Sequence, residues 1–262
     1  MIGKYCRTIG RLLVFSWVIA SAAVQYALTV WLAGKSGRIE ARAAWMANTS
    51  RRLLWALNIQ VTRHGKLPQG GVMAANHLGY IDIVVLGAAQ PTVFLSKSEV
   101  RHWPVFGPLA ACAGTLFIRR ERKTDVVRFD DAFAQVVEAG VILGIFPEGT
   151  SSDGHRVLPF HSSLFAAAAA ARWPVTPAWI GYEAEDGSVE SDVAYWGDMT
   201  FFSHFLRLIQ IKSVRATVCY GAALTEALDR KEMARRLHRE VGEMRERFRP
   251  AGRAPVPNVI PG

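Results

Sequence analysis

From residue 59 onward, short apolar runs alternate with longer segments in which apolar residues recur every three or four positions. The short runs end in Gly, Pro and other turn residues and predict strands, whereas the longer periodic segments predict helices. The predicted strands cover 59–63, 71–75, 92–96, 114–119, 141–146, 175–182 and 214–220. The predicted helices cover 80–89, 99–112, 124–139, 161–172 and 225–248. Strands separated by helices indicate a layered α/β domain.

The first 58 residues follow a different pattern. Residues 12–33 contain no charge, and roughly 20 apolar residues suffice to cross the hydrocarbon core of a bilayer. We expect a membrane-embedded helix here, spanning or re-entrant. A helix that lies in one leaflet and docks against the domain is a second interpretation. A cleaved signal peptide is a third, although apolar sequence continues well past the cleavage-like Ala20-Ser21-Ala22.

The next segment, residues 39–58, has helical spacing with basic residues and two tryptophans. A basic amphipathic helix with Trp suits a membrane surface, and an ordinary surface helix packed on the domain fits equally well. At the other end, residues 249–262 contain four prolines and predict a loose tail.

Composition narrows the function classes. Half of the 262 residues are apolar, and the formal net charge is +9. A basic surface attracts anionic lipids, acidic carrier proteins, CoA phosphates or nucleic acid, but no nucleic-acid motif occurs, so nucleic acid ranks last. The three cysteines, Cys6, Cys112 and Cys219, form neither a metal-binding spacing nor a disulfide framework, which fits a reducing compartment.

The segment Asn76-His77-Leu78-Gly79-Tyr80-Ile81-Asp82 follows the predicted strand 71–75. A His and an Asp five residues apart, just past a strand end, can fold back on each other across a turn. The carboxylate then holds one imidazole nitrogen and leaves the other free to accept a proton, which makes an oriented general base. A turn histidine that caps a helix near a solvated Asp is the alternative.

Two further blocks stand at predicted strand ends: Gly114-Thr115-Leu116-Phe117-Ile118-Arg119-Arg120 and Phe146-Pro147-Glu148-Gly149-Thr150. With the first block, they resemble the motifs of the glycerolipid acyltransferase superfamily, lysophosphatidate acyltransferase type. Those motifs are Asn-His-four residues-Asp, Gly-x-x-Phe-Ile-x-Arg and Phe-Pro-Glu-Gly-Thr. A fourth, looser block, an apolar residue near a Pro, fits Val175-Thr176-Pro177. The resemblance covers roughly residues 50–225.

The resemblance implies an α/β, layered, glycerolipid-acyltransferase-like domain with a central mixed sheet flanked by helices. We therefore expect a membrane-associated helical segment over 1–58, the acyltransferase catalytic domain over 59–248 and the Pro-rich tail over 249–262. The expected location is the inner membrane, with the catalytic domain on its cytoplasmic face.

The resemblance also implies acyl transfer by direct attack, without an acyl-enzyme. His77 is then the base and Asp82 orients it. The chain agrees in that Cys112 and Cys219 lie outside every motif and no Gly-x-Ser-x-Gly elbow occurs. We expect no metal and no cofactor; acyl-CoA or an acidic acyl carrier protein is the acyl donor. Membrane lipids and a lyso-lipid acceptor are the other expected partners.

The acceptor should carry an anionic head group beside its free hydroxyl. Arg120, with Arg119 adjacent, is expected to hold a phosphate through paired N–H donors. Glu148, Gly149 and Thr150 are expected to line the same pocket, with Gly149 and Thr150 offering backbone and hydroxyl donors.

Three supporting residues complete the predicted site. Asn76 shapes the turn or donates a hydrogen bond, and Gly79 lets the backbone bend close to the substrate. Lys97 reaches a phosphate or the thioester donor; an ordinary surface lysine at a helix start fits its sequence context as well. The six remaining histidines predict surface or packing residues.

One departure from the family pattern bears on the acceptor. Many members carry Arg directly after the Phe-Pro-Glu-Gly-Thr block, where this chain has Ser151. Lysophosphatidate is the first expected acceptor, with phosphatidate as product in phospholipid biosynthesis. Lyso-ornithine lipid is the alternative that the missing Arg suggests, and a sugar-linked lipid is a third. A non-catalytic lipid-binding protein and a thioester hydrolase represent other function classes.

Overall fold

The computed structural model describes residues 2–118 and 123–249. Its helices are α1 (Ile2–Thr29), α2 (Arg38–Leu57), α3 (Tyr80–Ala89), α4 (Phe106–Cys112), α5 (Lys123–Glu138), α6 (Ala166–Ala171), α7 (Phe201–Gln210) and α8 (Arg230–Phe248). Its strands are β1 (Ile59–His64), β2 (Val72–Ala75), β3 (Thr92–Lys97), β4 (Leu116–Ile118), β5 (Ile142–Ile145), β6 (Val175–Ala184) and β7 (Val214–Tyr220). Short 3₁₀ turns cover Ser98–His102 and Ser162–Phe165, and a π-helical turn covers Val189–Val193.

The seven strands form a single sheet in the order β1-β7-β6-β2-β5-β3-β4. All neighbours are parallel except β6 and β7, which run antiparallel. The predicted mixed sheet is confirmed, and the predicted strands lie within about two residues of the observed ones. Because β2, β5, β3 and β4 are parallel, their carboxyl ends meet at one edge, where open α/β sheets place ligand sites.

Helices cover both faces of the sheet, and the alternation of side chains along β2 shows how. Met73 and Ala75 pack into a core with α3 and α7, whereas Val72 and Ala74 pack into a second core with α6 and α8. Successive residues of a strand point to opposite faces, so a strand buried on both sides reads as one continuous apolar run.

Three predicted α-helices begin later than expected, and one helix was not predicted. The predicted helix 161–172 begins with the 3₁₀ turn Ser162–Phe165, so α6 starts only at Ala166. Pro104 lacks an N–H and disfavours helical geometry at Trp103, so the predicted helix 99–112 divides into a 3₁₀ turn and α4. The predicted helix 225–248 begins only at Arg230, where the Asp229 carboxylate accepts hydrogen bonds from two backbone N–H groups. Helix α7 has no counterpart among the predicted elements, although its buried Phe205, Leu208 and Ile209 recur at helical spacing.

Helix α1 docks along the domain. It pairs with α2, where the Trp45 indole N–H donates to Ala22 O at 2.8 Å. Its amino-terminal half crosses α7, where the Arg11 guanidinium donates to the carbonyls of Ile209 (3.1 Å), Lys212 (2.6 Å) and Ile211. The last carbonyls of a helix have no partner within the helix, and a cation there is also favoured by the helix dipole.

The opposite side of α1 remains exposed and apolar. Its exposed large apolar residues recur mostly at intervals of four and form a stripe: Ile9, Leu13, Trp17, Val24 and Leu28. Within the described residues, the segment Tyr5–Thr29 is the helix long and apolar enough to cross a membrane. One side of α1 therefore packs against the protein, and the other side is an exposed apolar surface.

Replacing Arg11 by Met should loosen α1 from the end of α7. The change leaves the carbonyls of Ile209 and Ile211 without their donor, whereas Lys212 O keeps a hydrogen bond from the Asn58 amide. It should destabilise the protein by about 2 kcal/mol, which lowers Tm by roughly 4–8 °C in a chain of this size. Thermal unfolding followed by circular dichroism in detergent measures the effect. The matched control is Arg38→Met, because Arg38 is exposed at the start of α2. Equal Tm values for the two variants would contradict the docking role of Arg11.

Candidate active site

A cavity of about 410 Å³ opens at the carboxyl ends of the parallel strands. Residues at or just past the ends of β2, β3, β4 and β5 contribute His77, Lys97, Ile118 and Phe146 to its wall. Trp103 and the segment 195–198 close it from outside the sheet. The motif blocks that are distant in sequence thus meet around one space.

His77 and Asp82 form a hydrogen-bonded pair at this cavity. The imidazole Nδ1 lies 2.8 Å from Asp82 Oδ2, and the His77 side chain is partly exposed while Asp82 is fully buried. Because a carboxylate accepts, Nδ1 carries the proton, and the Nε2 lone pair is left available to accept another. Nε2 has no protein partner among the described residues. This is the geometry of an oriented general base.

Backbone and ring contacts fix the rest of this pair. Asp82 is the third residue of α3, and its Oδ2 also accepts from the N–H groups of Leu78 (2.6 Å) and Gly79 (2.9 Å). The His77 ring stacks on Phe146 with centroids 4.0 Å apart. Ser152 N–H donates to His77 O at 2.9 Å, which ties the Phe-Pro-Glu-Gly-Thr loop to the His loop. Asp82 therefore holds one edge of the His77 ring, Phe146 packs on one face, and Ser152 holds the His77 backbone.

Glu148 has a different environment from Asp82. It is buried, and neither carboxyl oxygen has a hydrogen-bond partner in good geometry among the described residues. Burial raises the pKa of Glu148 to about 9, and nearby backbone N–H groups of Leu158 and His77 only partly oppose the rise. The Glu148 carboxyl is thus neutral at pH 7. Glu148 is not among the residues that line the cavity.

Of the residues predicted to hold the acceptor, Gly149 and Thr150 line the cavity, whereas Glu148 does not. Lys97, predicted as a supporting residue, also lines it. The Gly149 N–H donates to Phe146 O at 3.0 Å, so this predicted donor already has a partner within the loop that follows β5. Arg119 and Arg120 lie outside the described residues.

Asn76 and Gly79 have clear structural positions. The Asn76 amide exchanges two hydrogen bonds with the backbone of Ile180 on β6, at 2.8 and 3.0 Å, and so extends the β2–β6 pairing by side chain. Gly79 lines the cavity, and a Cβ there would lie 2.9 Å from the backbone N of Tyr195. Only glycine permits this close approach, which the hydrogen bond from Tyr195 N–H to Leu78 O (2.8 Å) fixes.

Several residues at the site carry no local sequence signal. Tyr182 on β6 donates its hydroxyl to Asp82 Oδ1 at 2.7 Å. Trp103, Tyr195 and Asp198 line the cavity from segments without a motif. These residues reach the site through strand pairing and helix packing over about a hundred residues, which a single sequence does not reveal.

His204 is a buried packing residue, as its sequence context predicted, and it supports the floor of the site. The Tyr80 hydroxyl lies 2.9 Å from Nδ1, and Nε2 lies 2.9 Å from Ala194 O. Since a carbonyl only accepts, Nε2 carries the proton and Tyr80 donates to Nδ1. Both ring nitrogens are thus satisfied in the neutral form, and burial lowers the pKa of His204 to about 4.

Comparison with known proteins connects this geometry to one family. A family model described as Acyltransferase matches residues 58–181. The chain is 37% identical over 199 residues to the lyso-ornithine lipid O-acyltransferase of Pseudomonas aeruginosa, covering 75% of each chain. It is 31% identical over 216 residues to the 1-acyl-sn-glycerol-3-phosphate acyltransferase of Neisseria meningitidis, covering 78% of this chain and 84% of that protein.

The fold also matches a solved structure. The crystal structure of the 1-acyl-sn-glycerophosphate acyltransferase of Thermotoga maritima aligns with a TM-score of 0.62 and 18% identity, covering 95% of this chain and 99% of that chain. At this level of identity the match supports the fold.

His204 should make the protein sensitive to acid. The unfolded chain binds a proton near pH 6.5 and the folded chain only near pH 4, so stability present above pH 6.5 is lost as pH falls towards 4. His204→Gln should be less stable at pH 7.5 but lose less stability over this range. Urea midpoints at pH 7.5, 6.5, 5.5 and 4.5 measure both slopes, with His102→Gln at an exposed histidine as the control. The same slope in His204→Gln as in the parent would contradict the prediction.

Proposed function

Since the chain belongs to the acyltransferase family, we propose that it transfers a fatty acyl chain from a thioester to the free hydroxyl of a lyso-lipid at a membrane surface. The observation that carries this proposal is the His77–Asp82 pair, with Nε2 open to a cavity at the carboxyl ends of the sheet. Acyl-CoA and acyl carrier protein are the two proposed donors.

In the proposed reaction, His77 Nε2 removes the acceptor's hydroxyl proton as the oxygen attacks the thioester carbonyl. A carbon–oxygen bond forms, the carbon–sulfur bond breaks, and the imidazolium returns the proton to the departing thiolate. The buried Asp82 carboxylate stabilises the imidazolium through Nδ1 in the interval. No acyl-enzyme is needed, because the acceptor oxygen is itself the nucleophile.

For the acceptor, charge at the cavity wall favours lyso-ornithine lipid. Lys97 and Asp198 both line the cavity, and neither has an ion-pair partner among the described residues. An ornithine head group offers a carboxylate and an ammonium, which match one cation and one anion. A phosphate monoester would meet the Asp198 carboxylate with like charge, which weakens binding. The relative from P. aeruginosa and the Ser at position 151 point the same way.

Lysophosphatidate is the second candidate acceptor. It is favoured by the relative from N. meningitidis and by Arg119 and Arg120, whose guanidinium groups suit a phosphate. The two candidates share the same chemistry at the hydroxyl and differ only in the head group.

For membrane attachment, we propose that α1 lies in one leaflet instead of crossing the bilayer. Contacts along α1 from Arg7 to Ala22 bind it to α7 and α2, so it runs along the domain and does not project from it. The exposed apolar stripe on its other side supplies the membrane-facing surface. An inner-membrane location with the domain on the cytoplasmic face remains part of the proposal.

Replacing His77 by Ala should lower turnover by roughly 10²–10⁴-fold, because the general base is lost. The measurement is transfer of a labelled acyl chain from acyl-CoA, or from acyl carrier protein, to lyso-ornithine lipid and lysophosphatidate by purified protein in detergent. His64→Ala, at an exposed histidine on the edge strand β1, is the control and should retain full rate.

Two outcomes of that assay would reject the proposal. Free fatty acid released equally fast without any acceptor would identify a thioester hydrolase. Absence of turnover with every donor and acceptor, with the lipids still bound, would identify a lipid-binding protein.

Asp198→Asn should separate the two acceptors. Losing the anion that pairs with the ornithine ammonium should raise KM for lyso-ornithine lipid about 2- to 5-fold, the size of one solvent-exposed ion pair, because Asp198 is exposed. KM for lysophosphatidate should stay equal or fall, because a repulsion is removed. Glu185→Gln, at an acidic residue that does not line the cavity, is the control. Equal changes of KM for both acceptors would remove Asp198 from head-group selection.

A further inference from the structure

Tyr182 makes the hydrogen bond that links the His77–Asp82 pair to the sheet. It lies on β6, is buried, and donates its hydroxyl to Asp82 Oδ1 at 2.7 Å. Burial raises the pKa of this phenol well above its ordinary value, so the hydroxyl keeps its proton and acts as a donor. Tyr182 is not among the residues that line the cavity, so any effect of Tyr182 on the reaction must act through Asp82.

The two oxygens of Asp82 are held by different parts of the chain. Oδ2 accepts from His77 Nδ1 and from two backbone N–H groups of the same short segment. Oδ1 accepts from Tyr182, which is 100 residues distant, and from no other described residue. The three donors at Oδ2 restrain that oxygen, and the Tyr182 donor at Oδ1 restrains the other, so the plane of the carboxylate is held at both oxygens. β6 is suited to this, since it is paired on both edges, with β2 and β7.

We propose that Tyr182 is a positioning residue, the third member of a Tyr182–Asp82–His77 chain, which sets the plane of the carboxylate and moderates its attraction for the imidazole proton. This inference rests on the proposed role of His77 as general base. It extends that role to a residue outside every motif block, although the looser block Val175-Thr176-Pro177 begins the same strand, β6.

The effect of removing the hydroxyl has a defined direction. In Tyr182→Phe, Asp82 Oδ1 is buried without a donor, which destabilises the carboxylate. The destabilisation is smaller while His77 is an imidazolium, because that cation compensates the charge. The variant therefore holds the imidazolium to higher pH, and a smaller fraction of His77 is available as base at neutral pH.

The first test is kinetic. Tyr182→Phe should lower kcat by about 10- to 100-fold, the cost of one hydrogen bond to a charged group, with both KM values within about twofold. The acidic limb of the pH profile should move to higher pH. The matched control is Tyr220→Phe, which removes a hydroxyl from a buried tyrosine on the adjacent strand β7 and should leave rate and profile unchanged. A purely structural role for Tyr182 would change stability without moving the acidic limb.

The second test shows whether Tyr182 acts through Asp82. In an Asp82→Asn background, Tyr182→Phe should change kcat less than about twofold, because the carboxylate through which it acts is gone. Effects that multiply independently in the double variant would overturn the inference.

The third measurement does not depend on turnover. NMR titration of labelled histidines, with the His77 signal assigned from His77→Asn, should show His77 titrating at higher pH in Tyr182→Phe than in the parent. An unchanged titration would overturn the inference even if the enzyme is active. A shifted titration in a protein that acylates no lyso-lipid would support the three-residue chain and reject the proposed function, so the two failures are distinguishable.

Discussion

The structure of the site depends on the burial of one negative charge, the Asp82 carboxylate, in a place where water does not reach it. An ion in a protein interior is costly unless donors replace its hydration. Here the donors are the imidazole, two backbone N–H groups at the start of α3 and the Tyr182 hydroxyl. These donors depend on three structural features: a turn whose amides point towards the carboxylate, a helix that begins at residue 80, and the strand β6, which places the Tyr182 hydroxyl next to Asp82.

The second carboxyl group shows what happens without such donors. Glu148 is also buried, but its oxygens lack well-aligned partners among the described residues, and burial raises its pKa to about 9. Donors therefore decide the outcome of burial: those around Asp82 offset the loss of hydration, whereas Glu148, without them, is neutral at pH 7.

Sequence alone predicted the parts of this arrangement that are local. The seven strands, the layered α/β class and the His77–Asp82 pair follow from runs, turns and a spacing of five residues. The sequence did not predict helix α7, Tyr182 or the segment 195–198 as parts of this arrangement. Their positions depend on which strands pair and which helices pack between distant parts of the chain. His204 illustrates the limit: the sequence indicated a surface or packing residue, but its burial and its partners, Tyr80 and Ala194, are set by tertiary contacts.

The division between local and long-range residues has a consequence for acceptor choice. The proposed base, His77, lies in the loop directly after β2, and the ring that stacks on it, Phe146, directly follows β5. The charged groups at the cavity wall, Lys97 and Asp198, lie at the end of β3 and in the segment 195–198, and both are exposed. Neither donates to Asp82, so a change at either position leaves the Asp82 donors in place. The chain is similar both to a lyso-ornithine lipid acyltransferase and to a 1-acyl-sn-glycerol-3-phosphate acyltransferase. Such similarity is expected where a shared His–Asp pair is combined with a cavity wall that can differ between relatives.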